Sequence, residues 1–303
     1  MKLPPSVPPY FQDEEKVVKW LSQLTNESPN LVHSRLRKER DNPGINVSVA
    51  MRQFGLEPHR WTDKMNDFYS QTDAFLYELI VWNLNKCKRR MRRRIGKYLG
   101  KNIGQHLNIL TVGDGLGVDS IYLARAGHHV TYFETSAYSQ AFAKKLFTDC
   151  AQDINVLDDL NQIPKNSYDV VICLDVLEHV PDPSEFVKAF TGYLKSNGHF
   201  IVHAPFYQIH PSTPTHLKSN RKYSGSLRFY EKHGLKLVDG ERSWDPLTLK
   251  KISGRKTDLT SFKPKLLALR LSGLYFALGR FTILPFLWFN SYQRRGRRWF
   301  EDS

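Results

Sequence analysis

Cysteine is scarce in this chain of 303 residues: Cys87, Cys150 and Cys173 stand far apart and match neither a disulfide framework nor a thiolate metal site. Such sparing use suits a reducing compartment. The opening stretch, MKLPPSVPPYFQDEEK, has prolines and acids where an export signal would carry an apolar run, so no export is expected. The chain also lacks internal repeats and low-complexity tracts. Its apolar and charged fractions, 41% and 24%, are those of an ordinary soluble globular protein.

Acidic residues are missing from one place above all. Residues 86–101, KCKRRMRRRIGKYLGK, contain nine Lys or Arg and no Asp or Glu, and residues 263–303 contain eight against Glu301 and Asp302. The formal net charge of +14 therefore sits in two segments, and the remainder is close to neutral. Concentrated positive charge suits an anionic surface, either membrane headgroups or nucleic acid. The plainer reading is a solvated helix face.

Residues 1–60 are polar and proline-containing, with one helical stretch, EEKVVKWLSQL, and no catalytic pattern. A stronger helix is expected over about 72–95, capped by Thr72 or Asp73, with Phe75, Leu76, Leu79 and Ile80 on one face. It runs into the basic cluster and ends near Gly96 or Gly100. Phe68, Tyr69, Phe75, Tyr77 and Trp82 could line an apolar pocket as a lid or simply pack on the body.

From residue 107 strand and helix patterns alternate, beginning with LNILTVG and VDSIYLARAG and running to LKLVDGERSW. This alternation predicts an α/β fold: a doubly wound, Rossmann-like parallel sheet with helices on both faces over 107–245. An N-terminal helical region, 1–106, would cap it, and a basic, aromatic-rich extension, 246–303, would follow.

A dinucleotide fingerprint, G-x-G-x-x-G, is absent as well. The first strand ends in VGDGLG, with glycines at 113, 115 and 117 and Val118 where the third glycine would stand. In such sheets the ligand lies beyond the carboxyl ends of the strands. Glu134 ends the second strand, placed to grip two ribose hydroxyls, and Asp158 or Asp159 ends the third, within reach of an adenine amino group. Ribose and adenine without a phosphate are what S-adenosylmethionine offers.

The block YDVVICLDVLEHVPDPSEFVKAFTGYLKSNGHFIVHAPF, residues 168–206, resembles the second half of class I S-adenosylmethionine-dependent methyltransferases. It is most similar to the subgroup containing the ubiquinone-biosynthesis O-methyltransferases, and the resemblance covers roughly 107–245. It implies S-adenosylmethionine as cofactor, bound by Thr111, Gly113, Asp114, Gly115, Gly117, Glu134, Asp158, Leu174 and Asp175, with Asp175 near the methionine end. The family usually has an acid where Thr111 stands and a small residue where Asp114 stands. One reading is a relocated carboxylate that meets the cofactor's ammonium; the other is weakened binding in a non-catalytic relative.

Methyl transfer to a hydroxyl needs a base after the fourth or fifth strand. His179 is the first candidate, then His210 and His216, while His203, inside the fifth strand, reads as a structural histidine bonded to backbone. In some relatives the set matching Asp175, Glu178 and His179 holds a divalent cation, for which oxygen-rich ligands suit Mg²⁺. Many others share the residues and use no metal, which is the expectation here.

The tail segment LSGLYFALGRFTILPFLWFN, residues 271–290, is long enough to cross a bilayer. Arg280 at its middle, Pro285, and cations on both flanks fit a segment lying in one leaflet better than a span. Trp288 and Trp299 suit an interface, whereas the plainer alternative is a helical pair packed on the domain. Three functions stay open. The first is a cytoplasmic methyltransferase, peripheral on the inner face of a membrane, acting on an oxygen, in second place a nitrogen or carbon, of a small or lipid-linked molecule. The second is a nucleic-acid methyltransferase using the basic helix, although the Asn/Asp-Pro-Pro-aromatic motif is absent. The third is an inactive scaffold at a membrane.

Overall fold

Side-chain caps start the first two helices in the structure, a computed structural model that describes residues 3–11, 13–252, 264–279, 281, 283 and 285. Asp13 accepts from the Lys16 amide to open α1, Glu14–Thr25, and Ser28 accepts from Leu31 to open α2, Pro29–Asp41. Helices α3, Ile45–Gln53, and α4, Lys64–Gln71, enclose a small core of Val47, Met51, Met65 and Phe68.

The single helix expected over 72–95 is two: α5, Ala74–Leu84, and α6, Lys86–Asn102. Asn85 interrupts it with an extended ψ of 140°, and its side chain accepts from the Cys87 amide, which makes it the cap of α6. Gly96 lies within α6 because the Tyr122 hydroxyl occupies the space a Cβ would need, 2.5 Å away. The buried stripe of α6 is Lys88, Met91, Arg92, Ile95 and Leu99. Two of the nine cations in the basic run thus point inward.

The sheet follows as β1, Asn108–Val112; α7, Val118–Arg125; β2, His129–Phe133; α8, Ala137–Asp149; and β3, Asn155–Leu157. It continues with β4, Tyr168–Leu174; α9, Pro183–Tyr193; β5, Leu194–His203; the short α10, Arg228–Glu231; and β6, Leu235–Gly240. Strand β7, Leu247–Lys251, and helix α11, Pro264–Ala277, complete the described elements. The sheet therefore runs to Lys251, past the boundary at 245 expected from sequence. A short Leu-Thr-Leu alternation after Pro246 pairs with β5, which local pattern alone did not disclose.

Strand order is β3-β2-β1-β4-β5-β7-β6. Strands β1 to β5 pair in parallel, and β7 runs antiparallel to both β5 and β6. Along β4, Val170, Ile172 and Leu174 enter one core with α7 and α8, while Val171 and Cys173 enter the other with α9. Burial on both faces explains the unbroken apolar run in that strand. The order reverses between β1 and β4, which opens the crevice that positions the site.

Among the described residues, no helix is long and apolar enough to cross a membrane. Arg280, Trp288, Trp299 and the arginines at 294, 295, 297 and 298, on which the tail reading drew, lie outside the described residues.

Candidate active site

After β1 the chain turns through Gly113, Gly115 and Gly117 with φ of 65°, 57° and 74°. Gly113 and Gly115 line a cavity of about 620 Å³. Gly117 does not; a Cβ there would sit 2.5 Å from the Phe147 ring, so this glycine seats α7 against α8. Glu134, just past β2, points its carboxylate back at the turn. One oxygen accepts from the Gly115 amide at 3.1 Å, the other from Thr135 and Ser136 at 2.8 and 3.0 Å. Burial pushes its pKa up against the pull of these three donors.

Thr111 and Asp114 lie elsewhere. Asp114 accepts from the amides of Asp119 and Ser120, at 3.1 and 2.7 Å, and from the Ser120 hydroxyl at 2.6 Å. It is a helix cap for α7, taking two of the free N–H groups of that terminus. Thr111 Oγ1 meets the same Ser120 hydroxyl at 2.7 Å. Neither residue lines the cavity. Burial and the nearby Asp119 charge lift the Asp114 pKa to about 7. Leu174 is buried within β4, and Asp158 is exposed beyond β3; these too are not part of the cavity wall.

The opposite wall comes from the N-terminal region: Trp61 before α4, Asn66 and Tyr69 on α4, and Phe75 and Leu79 on α5. The rings of Tyr69 and Phe75 stack at 5.2 Å and 14°. Other aromatics expected in a lid do different work. Phe68 is core, the Tyr77 hydroxyl donates to Glu27, and Trp82 donates to Asp175 at 2.9 Å.

Asp175, at the carboxyl end of β4, faces the cavity with a left-handed φ of 62°. Besides Trp82, it takes Lys88 Nζ at 3.0 Å and His203 Nδ1 at 2.5 Å. His203 Nε2 meets Asp245 at 2.8 Å, and Lys88 also reaches Asp119 at 3.2 Å. Burial alone would raise the Asp175 pKa, but Lys88 and His203 outweigh it and hold it well below the usual range. Burial would lower His203, yet the two carboxylates raise it to about 10. His203 is thus the cationic link of a buried carboxylate pair, where a backbone-bonded histidine was expected.

His179 lies on the cavity wall; Glu178 and His216 sit behind it. The imidazoles of His179 and His216 meet edge to face at 4.7 Å, and Glu178 Oε1 is 3.9 and 4.0 Å from their Nε2 atoms. Both Glu178 oxygens are buried without a hydrogen-bond partner among the described residues. Burial and the Asp175 charge push Glu178 up to about 8, and burial takes His179 down to about 4. Burial, with His179 beside it, holds His216 well below its usual range. One ligand atom from each of the three falls within 4.8 Å of the others, so Glu178, His179 and His216 could hold a divalent cation. The sequence set differs in one member: Asp175 is spent on Lys88, Trp82 and His203, and His216 stands in its place. His210 is not part of the cavity wall; its Nδ1 meets the Ser212 hydroxyl at 2.7 Å within its own turn.

Sequence reasoning passed over Lys88, Asp245 and Glu78, the last raised to about 8 by burial and the charges of Glu39 and Asp175. A signal existed for Lys88. Lys88 and Arg92 fall in register with Met91, Ile95 and Leu99 on the one apolar stripe of α6, where a solvated cation does not belong.

A glycine turn after β1, a carboxylate closing β2 and a crevice at the strand reversal meet at one cavity of a Rossmann-like sheet. The antiparallel β7 inserted between β5 and β6 sets the sheet apart from the dinucleotide-binding order. The methyltransferase-domain family matches residues 84–240, just over half of the chain, and the chain belongs to that family. It is similar to the ubiquinone biosynthesis O-methyltransferase of Nitrosospira multiformis, 29% identical over 166 residues, 53% of this chain and 63% of that protein. The protein of the same name from Marinobacter nauticus is 34% identical over 99 residues, 31% of this chain and 42% of its own length. The matches thus span less than two thirds of these relatives. Among solved structures, the N-methyltransferase NodS of Bradyrhizobium japonicum, in complex with S-adenosylhomocysteine, aligns with a TM-score of 0.45 at 13% identity, covering 62% of this chain and 97% of that one. Magnesium protoporphyrin IX methyltransferase of Synechocystis, with bound S-adenosylmethionine, aligns at 0.44 and 20% identity, covering 63% and 97%. The family expected from the fourth-strand block is the family found.

Proposed function

We propose that the protein is an S-adenosylmethionine-dependent methyltransferase acting on an oxygen of a small, hydroxylated, largely apolar acceptor. One observation carries the reading: a single cavity joins the Gly113–Gly115 turn and Glu134 to the Tyr69–Phe75 stack and His179. The residues fit the cofactor. Gly113 and Gly115 leave the turn bare of side chains, and Glu134 Oε2, held by the Gly115 amide alone, has a lone pair to spare for a ribose hydroxyl, while Oε1 is fixed by Thr135 and Ser136. Asp175 would lie near the methionine end.

When bound, S-adenosylmethionine supplies a methyl carbon activated by its sulfonium. Tyr69 and Phe75 exclude water and orient the acceptor beside that carbon. His179 is neutral at pH 7, because burial keeps its pKa near 4, and can take the hydroxyl proton. Held by the Gly113–Gly115 turn and Glu134, the cofactor would supply that methyl group and keep the carbon–sulfur electron pair on its sulfur.

The unpartnered Glu178 carboxylate favours a second version, in which Glu178, His179 and His216 hold a divalent cation. Such an ion acidifies a bound hydroxyl, and His179 is then a ligand, not the base. Two imidazoles and a carboxylate suit Zn²⁺ or Mn²⁺ better than Mg²⁺. A nucleic-acid acceptor is disfavoured, since Lys88 and Arg92 are buried and Arg94 is engaged by Asp239 and Glu241.

Titration calorimetry with S-adenosylhomocysteine tests the reading. Micromolar binding by the intact chain, weakened at least about tenfold in Glu134→Ala, supports it. A folded protein that binds no cofactor overturns it and turns attention to the inactive-scaffold reading.

A further inference from the structure

Asp175 stands in the cavity wall in a conformation that has to be held. Its φ of 62° is left-handed, and such a backbone persists in a residue other than glycine only where the surroundings over-determine it. The next residue shows what depends on it. The Val176 side chain fills the place a Cβ on Gly113 would need, 2.5 Å away. A rotation at Asp175 therefore carries Val176 into or away from the turn that borders the cavity. Trp82 and Lys88, from the N-terminal region, hold Asp175 Oδ2 at 2.9 and 3.0 Å. Among the described residues His203 alone holds Oδ1, at 2.5 Å, and the His203 carbonyl also accepts from the Asp175 amide at 2.9 Å.

His203 is itself held from behind. Its Nε2 meets Asp245 Oδ1 at 2.8 Å, so the imidazole spans two carboxylates, one at each nitrogen. An imidazole bonded at one nitrogen pivots about that bond, whereas opposed acceptors fix its plane. Asp245 lies in the turn between β6 and β7, two strands along the sheet from β4. That turn is anchored: Trp244 donates to Ser272 Oγ of α11 at 3.0 Å, and its ring packs on Phe276 with centroids 5.4 Å apart. The other contacts of Asp245 are longer, Arg90 at 3.6 Å and Cys87 Sγ at 3.8 Å, and Arg90 is exposed. The Asp245 carboxylate is thus directed chiefly at His203. Neither His203 nor Asp245 lines the cavity; both reach it only through Asp175.

We infer, given the S-adenosylmethionine reading on which this rests, that Asp245 acting through His203 is a positioning residue of the cofactor site, fixing the Asp175 carboxylate and with it the Val176–Gly113 contact. Two charge-assisted bonds in line remove the freedom of a wall residue before any ligand arrives, which leaves less ordering for binding to do. A charge network that served stability alone would leave the affinity of the folded protein unchanged.

Titration calorimetry of the full chain with S-adenosylhomocysteine tests it, in wild type, Asp245→Ala and Asp245→Asn, well below every thermal midpoint. Asn keeps an acceptor oxygen for His203 Nε2–H, and Ala removes it. Ala should weaken binding at least about tenfold and Asn by less than about threefold. Proton NMR of the cofactor-free proteins gives a second readout. The His203 Nδ1–H, in its short bond to Asp175, should resonate far downfield in wild type and Asp245→Asn, and move upfield in Asp245→Ala. Wild-type affinity in Asp245→Ala with that resonance unmoved overturns the inference. Equal weakening in both variants also overturns it, because charge and not position then sets the affinity. A wild type that binds no cofactor overturns the methyltransferase reading and the inference with it, so the two failures are told apart. Should Asp245→Ala not fold, Asp245→Ser, with its oxygen a bond nearer the backbone, takes its place under the same expectations.

Discussion

The ammonium of Lys88 lies 3.0 Å from the Asp175 carboxylate, so a lysine from the helix before the first strand reaches the residue that ends the fourth. It simultaneously pairs with Asp119, which Arg92 holds from the other side. Four charges in alternation tie α6, α7 and β4 together beneath the cavity. The N-terminal region is thus joined to the site by ionic as well as apolar contacts. Buried pairs of this kind gain little over an apolar core, but losing one member strands the others.

Lys88→Met should therefore destabilise the protein by about 3–5 kcal/mol, since Asp175 and Asp119 would each lose a cation. Urea denaturation of the two proteins measures it. A loss under about 1 kcal/mol would show that the pairing is incidental.

Asp114 separates a cap from a cofactor contact. As the cap of α7 it should cost about 1–2 kcal/mol on replacement by Ala, and leave affinity for S-adenosylhomocysteine within about threefold. Calorimetry and thermal melts on one preparation decide between the roles. A large drop in affinity with an unchanged midpoint would restore the relocated-carboxylate reading.

His203 sets a pH dependence. Its folded pKa of about 10 stands above the ordinary 6.5, so the folded state holds an extra proton between those values. Its contribution is complete below about pH 6.5 and is lost as pH rises toward about 10, at up to about 1.4 kcal/mol per pH unit. Wild type should therefore lose stability over about pH 7 to 9.5 more steeply than His203→Gln, measured from urea midpoints. Parallel curves would mean that His203 is not held as a cation.

Zn²⁺ or Mn²⁺ at about a hundred times its dissociation constant should stabilise the protein by about 2.7 kcal/mol through Glu178, His179 and His216. Scanning calorimetry with and without a chelator reads the shift, and His216→Ala should abolish it. A shift that survives in His216→Ala locates the ion elsewhere.

The strands and most helices were legible because their signals are local. In β4, Tyr-Asp-Val-Val-Ile-Cys-Leu reads as a strand buried on both faces, and it is one. Glu134 was legible for the same reason: a carboxylate one step past a strand lands at the crevice by topology alone. The break at Asn85 was hidden, because an apolar periodicity runs up to it and only its capping bond to Cys87 shows the stop.

By itself, then, the sequence determined the alternating α/β order, the glycine turn, the carboxylate after β2 and the family, all carried by residues close together in the chain. Only the tertiary structure decided which charges meet. Lys88 and Asp175 are 87 positions apart, and nothing local distinguishes Lys88, a buried partner, from Arg90, which is exposed. The same holds for Thr111 and Asp114, drawn to the start of α7, and for His216, brought beside Glu178 and His179 by a loop. Burial and long-range pairing fix what a side chain does, and both depend on how distant segments pack.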